Sequence, residues 1–119
     1  MDKIKNILDN PANKLICVDL DGTLCHGDYW HTGDEKEPEP NPVTIQLVKD
    51  LYLKGAHIII WTARTPDAFH TTLKWLVKHE VRFHGISMQR KPWADCYIDD
   101  KAINVEDFIE HFTSKDPVF

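Results

Sequence analysis

Leu15-Ile16-Cys17-Val18-Asp19-Leu20-Asp21-Gly22-Thr23 joins four consecutive apolar residues to two carboxylates and a glycine. Leu15 to Val18 form a run of strand length, too short for a helix before Gly22 interrupts it, and its composition suits a strand buried on both faces. Asp19 and Asp21 follow two residues apart, so on an extended backbone their side chains face the same way. Two adjacent anions repel unless a cation or a proton sits between them, and a divalent metal ion is the economical remedy. Gly22 can adopt positive φ, which would turn the chain sharply and bring the Leu20 and Asp21 amides toward an anion. Taken alone, the stretch reads equally as a strand closed by an Asp-Gly turn.

The flanking sequence alternates between strand and helix patterns. Before the strand, Met1, Ile4, Ile7 and Leu8 recur at helical spacing until Asn10-Pro11 stops them. After it, residues 25–42 carry Pro38, Pro40 and Pro42 among many acids, with no sustained period. This segment reads as a loop or flap over whatever the two aspartates do, with His26, Tyr29, Trp30 and His31 as candidates to cover it. Asn41-Pro42 then starts a helix whose apolar face is read as Val43, Leu47, Val48 and Leu51, ending at Gly55. His57 to Trp61 is a second strand. Thr65-Pro66 opens a helix with Phe69, Leu73, Leu76 and Val77 as its expected inner face. Phe83 to Met88 is a third strand and Cys96-Tyr97-Ile98 a fourth, running into Asp99-Asp100. A final amphipathic helix starts near Asn104, with Val105, Phe108, Ile109 and Phe112 as its expected inner face.

Strands alternating with helices imply right-handed crossovers and a parallel sheet between helical layers. The 119 residues suit one domain. A net charge of -5 and a pI near 5.7 disfavour generic binding to nucleic acid or anionic membranes through overall charge. No apolar run approaches the roughly 20 residues of a membrane span, and the first ten residues lack the apolar core of a secretory signal, so a cytoplasmic location is expected. Cys17, Cys25 and Cys96 have no paired CxxC spacing and read as structural thiols.

In parallel α/β sheets ligands bind beyond the carboxyl ends of the strands. The residues leaving the strands are Asp19 and Asp21, Thr62, Lys91, and Asp99 with Asp100, and they are therefore expected to converge. Carboxylates, a hydroxyl and an ammonium are the parts of metal-assisted phosphoryl transfer. An all-oxygen donor set suits Mg²⁺ better than Zn²⁺.

In this order the motifs resemble those of the haloacid dehalogenase superfamily of aspartate-nucleophile phosphatases. They are Val18-Asp19-Leu20-Asp21-Gly22-Thr23, Thr62 after Ile58-Ile59-Ile60-Trp61, Lys91, and Tyr97-Ile98-Asp99-Asp100. The contexts Trp61-Thr62-Ala63-Arg64 and Lys91-Pro92-Trp93-Ala94-Asp95 are faintly similar to phosphatases of capsule or polysaccharide biosynthesis. The resemblance implies an α/β, three-layer Rossmann-like parallel sheet with helices on both faces, forming one domain over residues 1–119. No stretch is long enough for the cap domain many members carry. It implies a phosphomonoester hydrolase in which Asp19 attacks phosphorus, Asp21 serves as acid and then base, and Thr62 and Lys91 contact the phosphoryl group, with Lys91 also pairing with Asp19. Mg²⁺ would be held by Asp19, the Asp21 backbone carbonyl and Asp99, with Asp100 supporting that shell.

Gly22, Thr23, Arg64, Arg90, Trp30 and His31 are candidate substrate contacts, as are Trp93 and Asp95 more distantly. The expected substrate is a small phosphate ester such as a sugar phosphate, and a homo-oligomer covering the open site is an expectation for the partner. A nucleic-acid end phosphatase or a phosphotransferase is the alternative, since residues 61–91 carry more bases than acids. A receiver-like phosphoacceptor domain is a second alternative. Its acidic pair would come at the first strand, whereas here the pair closes the series.

Overall fold

The computed structural model describes residues 2–27 and 37–115. The described elements are α1 (Asp2–Asp9), β1 (Leu15–Asp19), α2 (Pro42–Leu53), β2 (His57–Thr62), α3 (Phe69–Lys78), β3 (Gly85–Met88), β4 (Cys96–Ile98) and α4 (Val105–Lys115). The strands form one parallel sheet in the order β3-β2-β1-β4, flanked by helices, as the alternation predicts. The fold is a Rossmann-like α/β domain. In β1, Ile16, Cys17 and Val18 are all buried, which is why the sequence shows an unbroken apolar run there.

Register explains the core. Ile16 is level with Ile58 and Cys96, and Val18 with Ile60 and Ile98, so one face of the sheet is lined by β-branched side chains. Val48 of α2, Trp75 and Leu76 of α3, and Ile7 of α1 pack with them. Cys17, Ile59 and Tyr97 point to the opposite face. All three cysteines are free and buried, and burial pushes the Cys17 thiol up to about 11 and the Cys25 thiol to about 12, which keeps both protonated.

Two helices differ from expectation in phase and a third in exposure. In α2, Val48 is buried with Ile45, Leu51 and Tyr52 against the core, while Val43 and Leu47 are exposed. In α3 the buried face is Thr72, Trp75 and Leu76 rather than Phe69 and Val77. The chain enters α3 through a 3-10 turn at Pro66–Ala68. In α4, Val105, Phe108, Ile109 and Phe112 do form one stripe, but it faces solvent: Val105 is 65% and Phe112 52% exposed. The third strand is also shorter than expected. His84 precedes it, and its imidazole Nδ1 accepts from the Ile58 N–H at 3.0 Å while its own N–H donates to the Ile58 carbonyl at 2.7 Å.

The ends of the 25–42 segment are anchored. The His26 N–H donates to the Glu39 carbonyl, Cys25 bridges to Pro40, and the Trp75 indole donates to the Pro38 carbonyl at 2.9 Å. Trp93, a candidate substrate contact, is 71% exposed. Asp95 lies at the start of β4, the end of the sheet opposite the aspartates. Its carboxylate accepts from the Leu15 N–H at 2.8 Å and its own N–H donates to the Leu15 carbonyl at 2.8 Å, closing the β1–β4 ladder. Asp95 is therefore a clamp and not a substrate contact. Asp95→Ala should lower stability by about 1–2 kcal/mol, as expected for losing a partly exposed hydrogen bond to a carboxylate. Asp95→Asn, which keeps the acceptor, should lose less. Urea midpoints at constant m-value measure the difference, and an unchanged midpoint for Asp95→Ala would remove the clamp.

Candidate functional site

The carboxyl ends of β1 and β4 bring Asp19, Asp99 and Asp100 together. One carboxylate oxygen from each lies within 4.8 Å of the others. They border an open cleft of about 690 Å³ that is also lined by Asp21, Gly22 and Lys101. Asp100, expected either to support the metal shell or to enter it, has its carboxylate in the cluster. Gly22 makes room for it: this residue has φ +89°, and a Cβ there would collide with the Asp100 carboxylate. The positive φ expected of Gly22 thus serves a close approach of side chain to backbone.

Crowding has an electrostatic signature. Burial first, and then the charges of Asp99, Asp100 and Asp21, push the Asp19 carboxyl up to about 6, with the Leu20 N–H partly opposing the shift. Of the two amides expected to turn toward an anion, that of Leu20 is engaged elsewhere, as is the neighbouring amide of Gly22. The Leu20 N–H donates to the Trp61 carbonyl at 3.1 Å and the Gly22 N–H to the Cys25 carbonyl at 3.0 Å. Thr23 is buried, and its hydroxyl donates to Asp19 Oδ2 at 3.4 Å, so it steadies the aspartate rather than facing the cleft.

Asp21 has a different environment. Arg64 holds it with both ends of its fork, Nη2 to Oδ1 at 2.7 Å and Nε to Oδ2 at 3.1 Å. The guanidinium is 2% exposed and also donates from Nη1 to the Thr72 hydroxyl at 3.0 Å. Thr62, fully buried at the end of β2, accepts from the Arg64 N–H at 3.1 Å and its hydroxyl lies 3.4 Å from Asp21 Oδ2. Arg64 is thus no surface contact for substrate. The Thr62 hydroxyl is turned toward Asp21.

Lys91 lies 3.9 Å from Asp99 Oδ2 and 4.5 Å from the centre of the Tyr97 ring, so its recorded ion pair is with Asp99 rather than Asp19. The Lys101 N–H donates to Asp99 Oδ1 at 2.9 Å. Arg90 is exposed, and its carbonyl accepts from the Ser87 hydroxyl. Of the residues expected to cover the site, His26 lines the cleft, whereas Tyr29, Trp30 and His31 lie outside the described residues. Sequence reasoning missed Lys101 and Thr72. The signal for Lys101 was its place directly after Asp99-Asp100. For Thr72 it was a polar residue on the buried phase of α3.

The donor set suits a hard divalent cation. Among the described residues, Asp19, Asp99 and Asp100 form an all-oxygen cluster that could hold a metal ion.

The site's host fold has counterparts among solved structures. A conserved protein from Bacteroides thetaiotaomicron matches with a TM-score of 0.62 at 21% identity, over 87% of this chain and 93% of that one. A crystal structure of a target protein from Vibrio cholerae matches with a TM-score of 0.53 at 28% identity, over 87% and 99%. A chain of a Pnkp1/Rnl/Hen1 complex matches with a TM-score of 0.57 at 19% identity, over 87% of this chain and 35% of that one. The likeness is one of fold. No family model and no curated protein matches the sequence.

The raised Asp19 carboxyl sets a pH dependence. It titrates at about 6 in the folded chain against an ordinary value of 3.8, so folding takes up a proton between these limits. The group favours the folded state fully below about 4, and that advantage is lost as pH rises through about 6. In EDTA, Asp19→Asn should therefore gain stability relative to the native chain as pH rises from 4 to 7. The gain should be about 1–2 kcal/mol once solvent screening of this half-buried group is allowed for. Urea melts of both proteins across this range measure it, and a constant difference would contradict the electrostatic account.

Proposed function

We propose that this chain is a Mg²⁺-dependent phosphomonoester hydrolase of the haloacid dehalogenase type, in which residues 1–119 form a catalytic domain with no cap inserted between its motifs. The observation that carries the reading is the division of the cleft's carboxylates. Asp19, Asp99 and Asp100 converge, while Asp21, two residues beyond Asp19, is held separately by Arg64 and Thr62. A nucleophile beside a cation site, with a second carboxylate kept for proton transfer, is the arrangement aspartyl-phosphate chemistry requires. The order of the motifs supports the same reading.

Asp19, Asp99 and Asp100 would hold the metal, together with the Asp21 backbone carbonyl. When bound, Mg²⁺ screens the carboxylates and supplies Lewis-acid stabilisation to charge on the phosphoryl group. The chain's own residues do the rest. A carboxylate oxygen of Asp19 attacks phosphorus as the ester oxygen departs, and Asp21 gives that oxygen a proton. Asp21 then takes a proton from the water that cleaves the acyl phosphate, which restores Asp19. Lys91, beside Asp99 at the cleft, offsets negative charge on the transferring group. The Thr23 hydroxyl keeps Asp19 oriented.

The substrate is a small phosphate ester, admitted through the open mouth of the cleft. A polyanion track is less well supported, because Arg64 is buried against Asp21 and adds nothing to a basic surface.

Turnover of a phosphate-ester panel should disappear in EDTA and return with Mg²⁺, and full activity after metal stripping would overturn the reading. Sugar phosphates, nucleotides and 3′-phosphorylated oligonucleotides on that panel separate the substrate classes. Asp99→Ala should raise the Mg²⁺ concentration needed for half-maximal rate by at least about tenfold, on the scale of losing a group that orients or binds the metal.

Exchanging each aspartate separates their roles. Asp19→Asn should release no leaving group from any ester. Asp21→Asn should give a burst of p-nitrophenol near one equivalent per site, because this leaving group departs without protonation. Slow turnover follows, lowered by about 10²- to 10⁴-fold as expected for loss of general base catalysis. Steady cycling of p-nitrophenyl phosphate by Asp21→Asn at the native rate would contradict the assignment.

A further inference from the structure

We propose that Arg64 is the positioning residue of the site, holding Asp21 out of the metal cluster and oriented for proton transfer. The inference rests on the hydrolase reading above. Asp21 follows Asp19 by two residues and precedes a glycine with φ +89°, so its backbone is placed at a tight turn. Three other carboxylates border the same cleft. Without a fixed counter-charge, Asp21 is free to rotate toward a bound cation as a fourth acid or to turn into solvent. Either movement removes it from the ester oxygen it must protonate.

The geometry supplies that counter-charge in a form that fixes direction. A bidentate fork sets the plane of the Asp21 carboxylate as well as its position, since two parallel hydrogen bonds permit one arrangement. The fork is itself fixed at a third point by the Thr72 hydroxyl on α3, whose side chain is fully buried. Thr62 ties the Arg64 backbone to the same carboxylate. A chain therefore runs from the core face of α3 through a buried guanidinium to Asp21. Burying an arginine is strongly unfavourable unless it is paired, so this is a costly arrangement for a purely structural link. Joining α3 to β2 alone would not require a partner that lies in the cleft.

A merely structural ion pair and a positioning one differ in their kinetics. Arg64→Lys keeps the charge and removes the fork. Thr72→Val keeps the buried shape and removes the anchor. Both are to be assayed with Mg²⁺ on p-nitrophenyl phosphate and on an alkyl phosphate, with thermal melts to confirm folding. The alkyl ester needs a proton on its leaving oxygen and the nitrophenyl ester does not.

If Arg64 positions Asp21, kcat for release of the alkyl alcohol falls by about 10²-fold in Arg64→Lys. The p-nitrophenol burst changes by less than about tenfold, KM stays within about twofold for both esters, and Thr72→Val shows the same pattern more weakly. Added guanidinium should restore part of the alkyl-ester rate to Arg64→Ala. Equal losses on the two esters in folded variants, or no loss on either, overturn the proposal while leaving the hydrolase reading intact. Should Arg64→Lys fail to fold, Thr72→Val decides by the same comparison. A native chain that turns over no phosphate ester overturns the hydrolase reading, and this inference with it.

Discussion

Mutual repulsion among carboxylates is the constraint that the rest of the site answers. At separations near those of the Asp19, Asp99 and Asp100 oxygens, each pair of unit charges costs on the order of 3 kcal/mol in an effective dielectric of 20. The upward shift of Asp19 records part of that cost. The structure relieves it unevenly. Asp21 receives a full positive charge at 2.7 Å from a buried guanidinium, Asp99 receives a more distant and exposed ammonium, and Asp19 receives only a hydroxyl and a backbone amide. Of these three, Asp19 is the one given no cation as a neighbour among the described residues, and it is the one that the hydrolase reading needs as a nucleophile beside a cation.

The sheet makes this crowding achievable. Parallel strands end together, so β1 between β2 and β4 brings Asp19 next to the ends of both neighbours. The cost of placing charges there is met in the core, where Ile16, Val18, Ile58 and Ile60 are fully buried. Burying such side chains contributes roughly 1.5–3 kcal/mol each relative to exposure. The strand that carries the least favourable electrostatics is thus the one with the most thoroughly buried apolar run.

Much of this was legible before any coordinates. The unbroken run at Leu15 to Val18 could only be a fully covered strand, and the exits of the four strands identified the residues that meet. What escaped the sequence is partner choice. Nothing in Trp61-Thr62-Ala63-Arg64 says that the arginine turns inward, because burial of the guanidinium depends on Asp21, far back along the chain, and on Thr72 in the next helix. Asp100 was placed in a supporting role by the resemblance, and alternation along a strand would turn it away from Asp99. It lies just past the end of β4, where that alternation no longer applies. The phases of α2 and α3 were misjudged for a related reason: apolar spacing offers several overlapping faces, and contact with the sheet selects among them. In α4 the stripe itself was correct, but pattern cannot tell whether a face is covered.

The short edge strand β4 would tie fold stability to the affinity for any cation that the acidic cluster holds. Among the described strands it pairs with β1 alone, is clamped by Asp95 at one end, and delivers Asp99 and Asp100 from the other. Unzipping its three residues would disperse the acidic cluster, so ion occupancy and strand closure would share one equilibrium. Occupancy would consequently slow amide exchange along β4 more than in the sheet's centre. A change remote from the cleft, at the Leu15 end of the ladder, would be felt there as altered preorganisation.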